Sequence, residues 1–230
     1  MTKPVVLVTR KLPDAVEARL SRDYDARLNP TDKLYERDEL LERAEGADAI
    51  MPCHTEHFDA DVFSRLPKSV KIVANFSVGY DHVDTEAAKK AGVVITNTPD
   101  VLSDATAEIV MLLMLGAARR ASEGEKLVRT ATWKDWSPAF MVGTQVTGKT
   151  LGIVGLGRVG KVVAKRARGF DMKILYHDAV RQEDEEKAGA VFYEKLEDML
   201  PHCQFLSLNA PNLPSTRDML NAERIALLPE

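Results

Sequence analysis

The sequence has little of several features that would assign it to a specialised class of protein. It contains only two cysteines, Cys53 and Cys203, which are too few for a disulfide framework and favour a reducing, cytoplasmic environment. The formal net charge is only −4, with both signs mixed, so no surface for nucleic acid is indicated. The longest apolar run, residues 109–118, is about half the length that spans a membrane, and the N-terminus lacks a signal-peptide architecture. These absences predict a soluble cytoplasmic protein that binds neither membrane nor nucleic acid.

What the sequence does contain is a glycine-rich stretch in an informative setting. Residues 155–160 read G-x-G-x-x-G and directly follow an apolar, strand-like run at residues 150–154. A helical pattern comes next, then a second strand at residues 172–176, and Asp178 lies 18 residues beyond the last glycine. Strand, glycines, helix, strand and terminal acid within one βαβ unit predict a dinucleotide-binding site.

Each residue type in this stretch meets a physical need. Gly155 permits the tight exit from the strand, Gly157 lets the backbone approach a pyrophosphate, and Gly160 lets the helix pack closely on the sheet. The free N–H groups of the helix start then bind the phosphates. Asp178 would accept hydrogen bonds from the ribose hydroxyls and so favours NAD, whereas Arg181 could meet a 2′-phosphate and leaves NADP as an alternative.

The first hundred residues alternate short strands and helices. Strands are predicted at residues 5–9, 24–28, 47–51, 70–74 and 93–96, and helices at 15–20, 36–44, 59–65 and 85–91, with Gly46 and Gly92 as helix stops. Such alternation predicts a parallel sheet flanked by helices. The turn residues 97–100 are the best candidate for a domain boundary.

A long helix is predicted next, from about residue 103 to residue 128. Between residues 109 and 118 it is apolar on nearly every side, which is typical of a helix buried between layers, domains or subunits. The arm at residues 130–148 carries Trp133 and Trp136, which form either a local hydrophobic patch or a subunit contact.

The glycine-containing half continues with a helix that Gly169 is expected to end in the left-handed conformation. Further predicted elements are a helix at residues 183–188 and strands at 190–193 and 205–208. The loop at residues 209–216 follows the last strand, at the sheet edge where ligands of open α/β sheets bind. Only four strands are counted against about six in a complete doubly wound domain, so the chain is expected to be truncated.

Several ordered motifs resemble those of the D-isomer-specific 2-hydroxyacid dehydrogenases, closest to the glyoxylate/hydroxypyruvate reductase branch. They are NFSVGYDHVD at residues 75–84, TPDVLSDATAE at 98–108, Trp133-x-x-Trp136, GKTLGIVGLG at 148–157 and LNAP at 208–211. The resemblance covers all 230 residues.

The resemblance implies an α/β protein of two domains. Residues 1–99 would form a flavodoxin-like substrate domain, and residues 100–230 a Rossmann domain, a doubly wound parallel sheet that binds NAD and is incomplete at its C-terminus. The backbone N–H groups of Val78 and Gly79 would hold the substrate carboxylate; without the resemblance, this stretch reads as a plain strand-to-helix turn with Asp84 as N-cap. His54 or Thr55 is a candidate substrate contact, against the alternative of an ordinary polar loop.

The implied reaction is hydride transfer between NAD(P)H and a small 2-keto acid, with glyoxylate or hydroxypyruvate as the best candidates. In the family an Arg and a His held by a Glu carry the acid–base chemistry, and no residue of 1–230 matches them, so this chain alone is expected to be inactive. The alternatives are a dinucleotide-sensing, corepressor-like regulator of the same fold, or an inactive truncated form. The apolar helix and the two tryptophans, together with the family, predict a homodimer.

Other clusters carry less weight. Cys53, His54 and His57 are not joined by a second ligand cluster, so no metal is predicted. His82 beside Asp81 is taken as structural. The predicted cofactor-binding residues are Thr106, Gly155, Gly157, Arg158, Val159, Gly160, Asp178, Ala210, Pro211 and Thr216.

Overall fold

The computed structural model of the protein describes residues 2–229. The chain divides into two compact units, Met1–Val101 and Leu102–Glu230. Each unit is an α/β layer structure around its own parallel sheet.

The sheet of the first unit is fully parallel, with the strand order β2-β1-β3-β4-β5. Its strands are β1 (Val5–Val8), β2 (Asp25–Arg27), β3 (Ala49–Met51), β4 (Ile72–Ala74) and β5 (Val94–Thr96). Its helices are α1 (Asp14–Asp23), α2 (Arg37–Arg43), α3 (Ala60–Arg65) and α4 (Thr85–Ala91). This is the flavodoxin-like order, in which the strand succession reverses between β1 and β3 and ligands bind beyond the carboxyl ends of the strands.

Strand β1 is apolar on both faces because both faces of this sheet are covered where β1 lies. Leu7 packs into a core with Ile50 and Val73, on the side of α2, α3 and α4. Val6 and Val8 point the other way and pack with Leu20 of α1. A continuous apolar run is what a parallel strand buried on two sides requires.

The helix ends in the first unit follow the local sequence. Gly46 and Gly92 have φ angles of +69° and +73°, in the left-handed region, so both predicted helix stops are confirmed. The Asp84 carboxylate accepts a hydrogen bond from the Ala87 N–H at 2.9 Å and caps α4, as predicted.

Within residues 2–229 the second unit has four parallel strands in the order β8-β7-β6-β9. They are β6 (Thr150–Val154), β7 (Lys173–His177), β8 (Ala190–Phe192) and β9 (Phe205–Leu208). The helices are α5 (Ser103–Ala118), α6 (Ala121–Arg129), α7 (Arg158–Ala167), α8 (Glu185–Ala188), α9 (Leu196–Met199) and α10 (Ala222–Ile225). Leu151 and Ile153 of β6 lie in the main core of this unit, whereas Val154 packs in a smaller cluster with Leu196 of α9.

The single long helix predicted for residues 103–128 is wrong. The chain breaks between α5 and α6 at Arg120, whose φ is +54°. The Ala118 carbonyl accepts a hydrogen bond from the N–H of Thr144 at 2.7 Å, and the arm crosses the helix end so closely that a Cβ on Gly143 would lie 2.5 Å from the same oxygen. The arm therefore occupies the carbonyl that a continuing helix would use.

Burial of α5 on every side is also not observed in the single chain. Ala107, Met111 and Ala118 are buried in the core, but Ile109, Leu112 and Leu113 are 54%, 64% and 66% exposed. One face of α5 is therefore apolar and exposed.

The predicted left-handed stop at Gly169 is wrong as well. Helix α7 tightens into a 3-10 turn at Arg168–Phe170, and Asp171, with a φ of +54°, is the residue in the left-handed conformation. A short polar side chain tolerates this conformation because it can bond to the local backbone. No helix among the described residues is both long enough and apolar enough to cross a membrane.

Candidate functional site

The glycine turn after β6 brings three backbone segments into close contact. Gly155 has a φ of +89°, and a Cβ there would lie 3.0 Å from the backbone of Asn209 and Ala210. A Cβ on Gly160 would lie 2.2 Å from the carbonyl oxygen of Gly155. These two glycines are therefore required by the packing of α7 and of the loop after β9 against β6.

Gly157 differs from its two neighbours. A Cβ at this position would meet nothing within 4 Å, so the fold itself leaves open space there. Gly157 is the N-cap of α7 and has no side chain to bond the first N–H groups of the helix. The Lys161 N–H donates to the Gly157 carbonyl at 2.9 Å, so the helix begins at Gly157 and its first turn presents backbone N–H groups to an anion.

Asp178 lies directly after β7 and faces the glycine turn. One carboxylate oxygen, Oδ2, accepts a hydrogen bond from the Leu156 N–H at 2.9 Å. Within residues 2–229 no other hydrogen bond is made by this carboxylate, so its second oxygen remains for a ligand hydroxyl. The acid thus fixes the turn and also presents an acceptor beside it.

A cavity of about 430 Å³ lies at this carboxyl edge of the second sheet. It brings together six of the predicted residues: Gly155, Gly157, Asp178, Ala210, Pro211 and Thr216. The predicted phosphate-binding residues Arg158 and Val159 lie beside it in the first turn of α7. Thr106 lies on α5, is exposed and does not line the cavity.

The structure adds residues that sequence reasoning missed. The additional lining residues are Val154, His177, Ala179, Asn209, Leu213, Ser215 and Met219. Most of them are next to a predicted residue in the sequence, and this adjacency is the signal by which they could have been found. Thr216 has a structural role too, because its hydroxyl accepts a hydrogen bond from the Leu213 N–H at 2.8 Å and donates to the Pro211 carbonyl at 2.5 Å.

The first unit presents a second arrangement, at the carboxyl ends of β3 and β4. The Phe76 N–H donates to the Pro52 carbonyl at 2.8 Å and joins the two loops. The Asn97 side chain donates to the Val78 carbonyl at 2.8 Å, and the Thr98 N–H donates to the Ser77 carbonyl at 2.9 Å. Because a trans peptide points its N–H opposite to its carbonyl, these bonds orient the N–H of Gly79 away from Asn97.

The N–H groups of Val78 and Gly79 find no acceptor in the part of the chain that the structure describes. Two adjacent, unpaired backbone donors in a loop form a concave site for an anion. Binding of the substrate carboxylate by these two residues stays a prediction.

The loop after β3 is held by a polar network. Glu56 is buried and accepts hydrogen bonds from the Thr9 hydroxyl at 2.7 Å and from the Cys53 N–H at 3.1 Å. The Thr55 hydroxyl accepts a hydrogen bond from Nη1 of Arg10 at 2.8 Å and donates one to Oε2 of Glu56 at 2.9 Å. His54, the predicted substrate contact, is exposed on the same loop.

His82 follows Val78 and Gly79 in the sequence by only a few residues, but its side chain is not exposed. The ring is buried, and its Nε2 lies 3.0 Å from Oδ1 of Asn75. Burial lowers the pKa of His82, which keeps the ring neutral. This geometry agrees with the structural role expected for it. Among residues 2–229, no group of three His, Cys, Asp or Glu side chains comes together as a metal site.

The second unit thus has a positive-φ glycine, an uncapped helix start and an acid after the next strand, all at one sheet edge. These features fit an ADP-containing dinucleotide, because Gly157 leaves space for the pyrophosphate and Asp178 keeps an acceptor for the ribose. Fold and site together define a Rossmann-type dinucleotide-binding protein.

Comparison with known proteins narrows this class. A family profile described as D-isomer specific 2-hydroxyacid dehydrogenase, NAD binding domain, matches residues 111–230. A glycerate dehydrogenase of Hyphomicrobium methylovorum is 42% identical over 232 residues, which cover 100% of this chain and 72% of that protein. A glyoxylate reductase of Pyrococcus horikoshii is 40% identical over 230 residues, covering 98% and 69%. The crystal structure of a glyoxylate reductase from Paecilomyes thermophila superposes with a TM-score of 0.83 at 30% identity, covering 99% and 71%.

The chain belongs to the D-isomer specific 2-hydroxyacid dehydrogenases. It is an oxidoreductase of the NAD-dependent kind, and its second unit contains the NAD-binding domain of the family. The predicted family, α/β fold class and cofactor are confirmed. The regulatory alternative finds no support, since both relatives are named as enzymes.

Proposed function

We propose that the protein reduces glyoxylate or hydroxypyruvate with NADH, with the substrate carboxylate bound by the N–H groups of Val78 and Gly79. The observation that carries this proposal is the pair of unpaired donors, held in place by the Asn97 and Thr98 hydrogen bonds. The relatives named glyoxylate reductase and glycerate dehydrogenase support these two keto acids, since oxidation of glycerate at C2 yields hydroxypyruvate.

We assign substrate binding to residues 1–99 and cofactor binding to residues 100–230. The exposed His54 is proposed to contact the substrate from the loop after β3. In the second unit the phosphates are assigned to the start of α7, and the ribose to Asp178. When bound, the reduced nicotinamide supplies the hydride. We assign no catalytic acid or base within residues 1–230.

Amide NMR on the protein tests the carboxylate site directly. Hydroxypyruvate or glyoxylate is expected to shift the backbone N–H signals of Val78 and Gly79 more than those of other loops, because a carboxylate bonding to an N–H changes its shielding. Glycolaldehyde, which lacks the carboxylate, is the matched control ligand and is expected to leave both signals in place. Unchanged Val78 and Gly79 signals at millimolar keto acid would contradict the proposed substrate site.

We also propose that the protein forms a homodimer through the exposed apolar face of α5 and the arm. Trp133 and Trp136 of the arm are 55% and 73% exposed, in addition to the exposed face of α5, and exposed apolar surface marks interaction sites. The two free cysteines support the proposed cytoplasmic location.

Analytical ultracentrifugation is expected to show a species of twice the 25.5 kDa chain mass at micromolar concentration. Leu112→Glu should shift it to the monomer, because a charge would have to be buried in an apolar interface. Val191→Glu is the matched control, since Val191 is 58% exposed but lies on the edge strand β8. A wild-type monomer at this concentration would refute the dimer.

A further inference from the structure

Arg181 is the side chain that could turn this NAD site into an NADP site. It lies three residues beyond Asp178, on the segment that joins β7 to α8. Arginines near this point of a Rossmann unit accommodate the 2′-phosphate of NADP. The position of Arg181 therefore bears directly on which dinucleotide the site accepts.

The structure shows Arg181 bound to the Glu185 carboxylate. Its Nε donates to Oε1 at 3.0 Å and to Oε2 at 3.2 Å, and its Nη2 also contacts Oε1. A guanidinium and a carboxylate in such a fork form a strong, directional pair. The Glu185 side chain is only 12% exposed, so water competes little for its oxygens.

The Glu185 carboxylate is held in place by a hydrogen bond from Tyr176. The Tyr176 hydroxyl donates to Oε2 of Glu185 at 2.5 Å, and the Gln182 N–H donates to the same hydroxyl at 3.0 Å. The hydrogen bond from Arg181 has the largest effect on the pKa of Glu185 and lowers it, and the hydrogen bond from Tyr176 lowers it further. The carboxylate is therefore charged at neutral pH. Because Tyr176 is fully buried in β7, the position of Glu185 is set by the core of the unit.

The pair also directs Arg181 to one side of the sheet. The Arg181 guanidinium lies 5.7 Å from the ring centre of Phe192, which belongs to β8. In the order β8-β7-β6-β9, strand β8 lies on the far side of β7 from the glycine turn and from the loop after β9. Arg181 is not among the residues that line the cavity beside Asp178.

We propose that Glu185 is a specificity-determining residue that acts through Arg181, holding the guanidinium away from the adenosine ribose and so excluding the 2′-phosphate of NADP(H). Asp178 rejects this phosphate by like charge, and Glu185 withholds the cation that would attract it. The inference rests on the proposed cofactor site, since it concerns the ribose end of that site.

The test is a titration of the protein with NADH and with NADPH, followed by calorimetry. Glu185→Gln removes the charge that holds Arg181 but keeps an oxygen that can accept from Tyr176, so the loop remains supported. The dissociation constant for NADPH is expected to fall about tenfold, whereas that for NADH changes less than about threefold, as one charge-assisted hydrogen bond would give. A merely structural loss would weaken both ligands, so the ratio of the two constants is the decisive quantity.

Two further variants separate the mechanism from a general change of charge. Glu183→Gln is the matched control, because Glu183 is exposed on the same segment and its replacement changes the net charge equally. Glu185→Gln combined with Arg181→Ala is expected to return the ratio to its wild-type value. An equal change of this ratio in the Glu183 variant, or a change that remains after Arg181 is removed, would overturn the inference but not the proposed cofactor site. Absence of NADH binding by the wild type would overturn the proposed cofactor site together with it.

Discussion

Gly157→Val is expected to lower the affinity for NADH more than about a hundredfold without unfolding the protein, which corresponds to about 2.7 kcal/mol of binding free energy. The fold leaves open space at Gly157, where a Cβ atom would meet no protein atom within 4 Å. The backbone there, with φ −75° and ψ −157°, is extended and suits valine. The side chain would instead fill the space through which a pyrophosphate approaches the start of α7. Isothermal calorimetry with NADH measures the loss.

Gly169→Val is the matched control for this variant. Gly169 also has open space around its Cβ position, but it lies at the far end of α7. NADH affinity is expected to stay within about twofold of wild type there, because no phosphate approaches that end. Thermal unfolding of both variants establishes that they remain folded. Wild-type NADH affinity in a folded Gly157→Val protein would show that the phosphates bind elsewhere.

Asp178→Ala is expected to reduce NADH affinity about ten- to a hundredfold, since a hydrogen bond to a charged group contributes about 1.5–3 kcal/mol. The variant loses the acceptor for the ribose hydroxyl and also the bond that holds the Leu156 N–H. Affinity for NADPH is expected to fall less or to rise, because the carboxylate no longer repels a 2′-phosphate. Parallel titrations with both nucleotides measure the two effects.

The control for Asp178 is Glu194→Ala, which removes an exposed acid after β8 that does not line the cavity. Its affinities for NADH and NADPH should match those of the wild type. If the wild-type protein already bound NADPH more tightly than NADH, Asp178 would not set the preference, and Arg181 would dominate.

The parts of the site that the sequence predicted are those fixed by local chemistry. Gly155 and Gly160 could be recognised because no other residue fits their backbone positions, and Asp178 because it ends the strand that follows. Asp84 begins α4 and Gly92 ends it, as predicted, because each of them caps the helix turn next to it.

The parts that could not be predicted depend on contacts between distant segments. The break at Arg120 results from the Thr144 N–H, which comes from an arm more than twenty residues further on. Leu213 and Met219 line the cavity because the loop after β9 comes close to the ends of β6 and β7, and neither residue is next to a predicted one in the sequence. The pairing of Arg181 with Glu185 is local in sequence, but its direction is set by Phe192 on a neighbouring strand.

Asn97 and Thr98 lie just before the point where the first unit ends, at Val101, yet their hydrogen bonds hold the loop that carries Val78 and Gly79. The chain therefore leaves this unit through the same residues that hold the loop of Val78 and Gly79 in place. A movement of the chain beyond Val101 would act on the loop through the hydrogen bonds that Asn97 and Thr98 donate to the Val78 and Ser77 carbonyls. The segment that joins the two units is therefore also a structural support of this loop.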